Sequence, residues 1–264
     1  MWGHFGSMTC GPGCQILKGM RIESQILNAY DSVLSGFCRK GVMVQAESWV
    51  DCMEKGDVKP DVVTYTTLVK GCCHLGKMKE AVAVKEAMAG KGISPCVINT
   101  YNCFLSGFTK IADWMSVSGL LDEMKEKGVS ADVVTYNVLI HALCCKGEVW
   151  KAVKLLNKML EVGLEPQHQT YNTIIDGFCE KGDIKAAREI MSRMNKCKKR
   201  ANVATYNVLL KYFCKMGKME EANELLNEML ETGRVPNAIT YEIINAGMVE
   251  KGFVADISKS STSS

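Results

Sequence analysis

Several things are missing from this chain, and each absence removes a class of function. Its apolar runs are short and broken by Lys, Glu or Gly, whereas a membrane span needs roughly 18 uninterrupted apolar residues, so no membrane partner is expected. A large excess of one charge is missing too. The balance of 32 Lys and Arg against 29 Asp and Glu leaves +3, far short of the basic footprint of a duplex-DNA binder. No Cys-x-x-Cys pair occurs, and Cys10 and Cys14 have no second pair to complete a zinc site. None of His4, His74, His141 and His168 has Glu two residues on, which excludes the zinc-deaminase signature. A phosphate-binding glycine loop, a Gly-x-Ser-x-Gly elbow and a recurring carboxylate pair are also absent. The chain is therefore read as a non-enzyme with no cofactor and no metal. Its 13 Cys are odd in number and follow no signal peptide, which points to reduced thiols. The stretch from Met1 to Ile26 is a poor match to an Arg- and Ser-rich transit peptide.

What the sequence does have is a period. The dipeptide Thr-Tyr begins at residues 64, 100, 135, 170, 205 and 240, a step of 36 followed by steps of 35, and Ala29-Tyr30 lies one step upstream. Six full repeats follow, at 27–61, 62–97, 98–132, 133–167, 168–202 and 203–237, with a partial one at 238–257. Before them, 1–26 is an atypical segment or the remnant of a repeat. After them, the Ser-rich tail 258–264 has nothing to pack and is expected to be disordered. The fifteenth column holds Gly41, Gly76, Ala112, Gly147, Gly182 and Gly217, where a helix ends in a tight turn. A second stop holds Gly56, Gly92, Gly128, Gly163 and Gly233. Only five prolines occur, and four of them, Pro60, Pro95, Pro166 and Pro236, follow that second stop. Each repeat is thus two helices and two turns.

Between the stops the apolar residues keep helical spacing, as in Tyr136, Leu139, Ile140 and Leu143, and strand alternation is absent. Three columns read as packing. Cys38, Cys73, Cys144, Cys179 and Cys214 share the twelfth position, Ala46, Ala81, Ala152, Ala187 and Ala222 allow close helix approach, and Met53, Met88, Met124, Met159, Met194 and Met229 form a core stripe. A single repeat cannot bury its own apolar faces, so neighbours must stack into a superhelix. The fold class is all-α, a solenoid of helix-turn-helix repeats of about 35 residues. The fifth column (Asp31, Thr66, Asn102, Asn137, Asn172, Asn207) is polar on a helix where Asn has no propensity advantage, so something other than helix formation selects it.

The run Val133-Val134-Thr135-Tyr136-Asn137-Val138-Leu139-Ile140, continuing to Cys144, Gly147, Ala152, Met159, Gly163 and Pro166, closely resembles the pentatricopeptide repeat of plant organellar proteins, and the likeness covers roughly 27–252. The resemblance implies a right-handed superhelical solenoid that binds single-stranded RNA, one base per repeat. It assigns base recognition to the fifth and last residues: Asp31 with Asp61, Thr66 with Cys96, Asn102 with Asp132, Asn137 with Gln167, Asn172 with Asn202, and Asn207 with Asn237. The order implied for the second to sixth repeats is purine, U, pyrimidine, C, C. Base stacking falls to Val63, Val134 and Ala204, and phosphate contact to Arg39, Lys110 and Lys215. The implied setting is RNA metabolism in a mitochondrion or chloroplast by a monomer, with any chemistry supplied by recruited protein factors. The alternative is a protein-binding scaffold, and the recurrent Asn in place of apolar anchors argues against it.

Overall fold

A computed structural model describes residues 23–55, 58–94, 98–197 and 199–250. The expectations for residues 1–22, for Cys96 and for the Ser-rich tail lie outside these. Among the described residues there are thirteen α-helices and no strand: α1 Glu23–Lys40, α2 Met43–Lys55, α3 Val62–His74, α4 Met78–Gly90, α5 Ile98–Lys110, α6 Trp114–Glu126, α7 Val133–Cys145, α8 Val149–Glu161, α9 His168–Glu180, α10 Ile184–Lys196, α11 Val203–Lys215, α12 Met219–Glu231 and α13 Ala238–Glu250. The chain is an all-α solenoid of helix-turn-helix repeats. Its first helix starts at Glu23, four residues ahead of the first repeat as drawn from the period.

The two glycine columns stop the helices as their spacing predicts. Gly147 takes φ 77° and donates to the Cys144 carbonyl (2.9 Å), while Glu148 donates back to Leu143 (2.8 Å). This Schellman closure satisfies carbonyls that a helix end leaves open. Gly163 ends α8 in the same way, with Leu164 donating to the Met159 carbonyl (3.0 Å). Ala112 is the exception. It occupies the left-handed region at φ 57° with a Cβ that disfavours it.

The chain divides into two compact units, Met1–Thr135 and Tyr136–Ser264, with the boundary inside α7. In the first, α1, α3 and α5 lie side by side, and α2, α4 and α6 each pack on the helix before them. In the second, α9, α11 and α13 form the row, flanked by α8, α10 and α12. All six Met of the stripe are buried, as are the Ala column and the Tyr that follows each Thr as far as Tyr206.

The Cys column has a specific task. A Cβ on Gly71 would lie 2.7 Å from the Cys38 Cβ and Sγ, one on Gly177 3.1 Å from Cys144, and one on Gly247 2.5 Å from the Cys214 Cβ. A small thiol against bare backbone lets successive first helices approach closely. Burial pushes the Cys73, Cys144 and Cys179 thiols up to about 12, which leaves them uncharged and poor nucleophiles near neutral pH. Cys52 is disulfide-bonded, a departure from the expectation of thiols reduced throughout.

Candidate functional site

Where the end of a repeat is described, its closing residue sits immediately before the next first helix, at the N-cap. Asp61, extended at φ −107°, accepts from the Val63 N–H (2.8 Å) and the Thr64 N–H (3.0 Å). Asp132 accepts from the Thr135 N–H (2.8 Å), Asn202 from Thr205 (3.0 Å) and Asn237 from Thr240 (3.0 Å). An N-cap needs a short side-chain oxygen that can fold back on the third helical N–H, which Asp and Asn supply. Gln167, one methylene longer, takes the Thr170 N–H on its own carbonyl (3.0 Å) and donates its backbone N–H to Thr170 Oγ1 (3.1 Å).

The fifth residue is held from the following repeat. Thr64 Oγ1 donates to Asp31 Oδ1 (2.8 Å), Thr135 to Asn102 (2.6 Å), Thr170 to Asn137 (2.6 Å), Thr205 to Asn172 (2.8 Å) and Thr240 to Asn207 (2.8 Å). In the second repeat, where the fifth residue is Thr66, its hydroxyl meets that of Thr100 (3.1 Å). These Thr are 0 or 1% exposed, so their hydroxyls must find protein partners. Thr64, Thr135, Thr205 and Thr240 each bond the last residue's side chain as well, and so join the fifth and last residues of one repeat at a single buried point.

The capping bond decides which group points outward. When Asn202 commits Oδ1 to a backbone N–H, its Nδ2 is left facing away from the helix as a donor. Asp132 in the same posture leaves a second carboxylate oxygen, an acceptor. Asn102 further donates through Nδ2 to Asp132 Oδ1 (3.0 Å), and is only 7% exposed. Asn207 is 8% exposed, while Asn137 and Asn172 are half-buried. The fifth column thus shows an edge of each side chain rather than the whole of it.

Electrostatics separate the acidic members. Burial raises the Asp31 carboxyl above the ordinary range, partly countered by the Thr64 hydrogen bond and reinforced by the Asp61 charge. Burial also works against ionised Asp132. Bonds from the Thr135 N–H, from Asn102 and from the Thr135 hydroxyl outweigh it and hold that carboxyl below its usual range.

The second column projects at the helix starts, with Val63 56% and Val134 51% exposed and Ala204 also exposed. Ile239, absent from the expected set, occupies the same slot on α13. Arg39, Lys110 and Lys215 are exposed at the ends of their helices, but Lys215 Nζ leans to Glu180 (3.5 Å). What the sequence reading missed are the Thr hydroxyls and the capping role. Both had a signal: Asp or Asn immediately before a helix, and a buried polar column in phase with the Tyr.

The PPR repeat family matches residues 28–74, 61–98, 97–145, 131–180, 166–211 and 201–250. A chloroplastic pentatricopeptide repeat-containing protein of Arabidopsis thaliana is 34% identical over 115 residues, 42% of this chain and 15% of its own length. A mitochondrial one from the same plant is 32% identical over 133 residues, 50% of this chain and 16% of its own. The crystal structure of the pentatricopeptide repeat protein PPR10 from maize superposes with TM-score 0.61 at 31% identity, covering 81% of this chain and 31% of that one. The same protein in complex with an 18-nucleotide psaJ RNA element gives TM-score 0.61 at 23% identity, covering 89% and 40%. The chain spans well under half the length of each.

Proposed function

Because the chain belongs to the pentatricopeptide repeat family, we propose that it binds single-stranded RNA selectively through the first helices of its repeats, each repeat meeting one base through its fifth and last residues. The observation that carries this reading is the recurring Thr-centred pair. Five repeats spend a buried hydroxyl on orienting a fifth side chain that the helix itself does not need. The structure of maize PPR10 with RNA supports the choice of ligand.

The pair matches pyrimidines by donor and acceptor count. Uracil and cytosine share an O2 acceptor, which an Asn amide can meet. They differ at N3, a donor in uracil and an acceptor in cytosine. Asp132 turns an acceptor outward and suits U, whereas Asn202 and Asn237 turn a donor outward and suit C. Val63, Val134 and Ala204 stand three residues before the fifth column, placed to wedge between bases. Arg39, Lys110 and Lys215 meet phosphates. Relatives named chloroplastic and mitochondrial support an organellar transcript, whose stability, splicing, processing or translation would respond to occupancy. No reaction is assigned to the chain.

The test is selection from randomised single-stranded RNA by wild type and by Asn202→Asp. The variant should move one base from C toward U and leave its neighbours unchanged. A wild type without base preference, or one that binds a duplex of the selected sequence as tightly, returns the chain to the protein-scaffold reading.

A further inference from the structure

We infer that the buried Thr at the third position of each repeat is a specificity-determining positioning residue for the base read by the repeat before it, so that a reading unit straddles two repeats. The inference rests on the RNA-reading proposal and adds a residue that never touches RNA.

A hydroxyl carries one proton, and Thr64, Thr135, Thr205 and Thr240 each face two side-chain acceptors. Thr205 Oγ1 lies 2.8 Å from Asn172 Oδ1 and 3.0 Å from Asn202 Oδ1. For Thr135 the two distances are 2.6 Å to Asn102 and 2.9 Å to Asp132, for Thr240 2.8 Å to Asn207 and 3.0 Å to Asn237, and for Thr64 2.8 Å to Asp31 and 3.2 Å to Asp61. In every case the fifth residue is nearer, at a separation typical of O–H···O rather than N–H···O. The last residue is already bound by a backbone N–H and has less need of the proton. The Thr oxygen in turn accepts from the backbone N–H of the last residue, at 3.3 Å for Asn202 and 3.2 Å for Asn237. The proton therefore goes to the fifth residue, which turns the amide oxygen of Asn172 and Asn207 inward and leaves the nitrogen outward, while the nitrogen of Asn102 is taken by Asp132 Oδ1. Without that proton the amide can turn over, and a donor facing the base becomes an acceptor.

Two consequences follow. The fifth side chain is addressed by a residue 33 positions later, not by its own helix. The sixth reader, Asn207 with Asn237, is completed by Thr240 on α13, so the partial repeat does recognition work for the repeat before it.

Thr205→Val and Thr240→Val test this, since Val keeps the buried shape and removes only the hydroxyl. Thr205→Ser serves as the rescue, and melting curves confirm folding. The readout is base preference at all six positions by selection on single-stranded RNA. Thr205→Val should lose roughly tenfold in discrimination at the fifth base alone, one oriented hydrogen bond's worth. Thr205→Ser should retain it, and Thr240→Val should lose it at the sixth base alone. Unchanged selectivity in both Val variants, beside a selective wild type, overturns the inference and leaves the reading intact. A loss spread over all positions also overturns it, because a weakened helix start gives that pattern. A wild type with no preference overturns the reading itself.

Discussion

In the unit ending at Thr135, both fully described fifth-and-last pairs contain carboxylates, Asp31 with Asp61 and Asn102 with Asp132. In the unit beginning at Tyr136 all three pairs are amides. The edge at the turns between paired helices differs as well. Arg39, Lys40, Lys77, Lys79 and Lys110 make no ion pair among the described residues. Across the boundary, Lys146 and Lys151 share Glu148, Lys215 faces Glu180 and Lys218 faces Glu221. The same backbone and the same Thr hub thus carry two chemistries. Conformation is set by the small residues of the repeat, and the charged columns vary over it without disturbing it.

The largest expected effect concerns those small residues. Ala in place of Gly in a helix gains about 1 kcal/mol of propensity. At Gly71 the new Cβ would overlap the Cys38 Cβ and Sγ at 2.7 Å, and overpacking of that kind costs about 1–3 kcal/mol. At Gly177 the contacts are 3.1 and 3.2 Å, and small shifts relieve them. Gly71→Ala should therefore lower the urea midpoint while Gly177→Ala leaves it nearly unchanged. Equal midpoints would break the distinction between the two packing seams.

Next comes the turn at Ala112. A left-handed L-residue costs about 1–2 kcal/mol, and its equivalents Gly147 and Gly182 avoid that cost at φ 77° and 75°. Ala112→Gly should stabilise the first unit by about 1 kcal/mol, and Gly147→Ala should destabilise the second by a similar amount, both read by thermal melting. Were Ala112→Gly neutral, another contact would be compensating the strain there.

The acid readers should respond to pH where the amides cannot. Asp31 is raised by burial, so on acidification it takes up a proton at higher pH than an ordinary carboxyl. A raised carboxyl favours the folded state in acid, and that contribution is lost as pH rises through its folded value. Asp132 is depressed, so its contribution is full above the ordinary range and is lost only as pH falls through its lowered value. Base preference at the first position should therefore change first on acidification and that at the third last, with the fourth to sixth positions flat. Single-base RNA variants titrated across mildly acidic buffers give the order, and simultaneous change at all positions would contradict it.

The fold was legible because its signals are local and repeated: glycine at each stop, helical spacing between stops, and small or Met columns at fixed phase. Ala112 kept its turn even without glycine, since five neighbours in the column had already declared the backbone. The site was legible only in part. The fifth column stood out as polar and the last was assigned through the family resemblance, but the hydrogen bond from Thr170 to Asn137 spans 33 residues and leaves no trace in either helix's own pattern. Nor could the sequence say that Asn102 and Asn207 lie nearly closed off, because their burial comes from the neighbouring repeat. The assignment of Lys215 to phosphate took no account of its partner for the same reason, Glu180 lying on the preceding first helix.

That ion pair gives the smallest predicted effect. Lys215 and Glu180 are 60 and 58% exposed and 3.5 Å apart, so solvent screens the pair and it adds little to stability. It matters instead through competition. A phosphate approaching Lys215 must displace Glu180 or share the cation with it, whereas Arg39 and Lys110 carry no such partner among the described residues. Replacing Glu180 with Gln removes the competitor and keeps the shape, so affinity for single-stranded RNA at low salt should rise roughly two- to threefold, with base preference unchanged. The salt slope should steepen by less than one unit, since one phosphate contact contributes about 0.7 for a single strand. Arg39→Ala should move the slope the other way by a similar amount. If Glu180→Gln leaves the slope unchanged while Lys215→Ala makes it shallower, Lys215 already holds a phosphate beside the carboxylate, and the paired edge of the second unit is as available to RNA as the unpaired edge of the first.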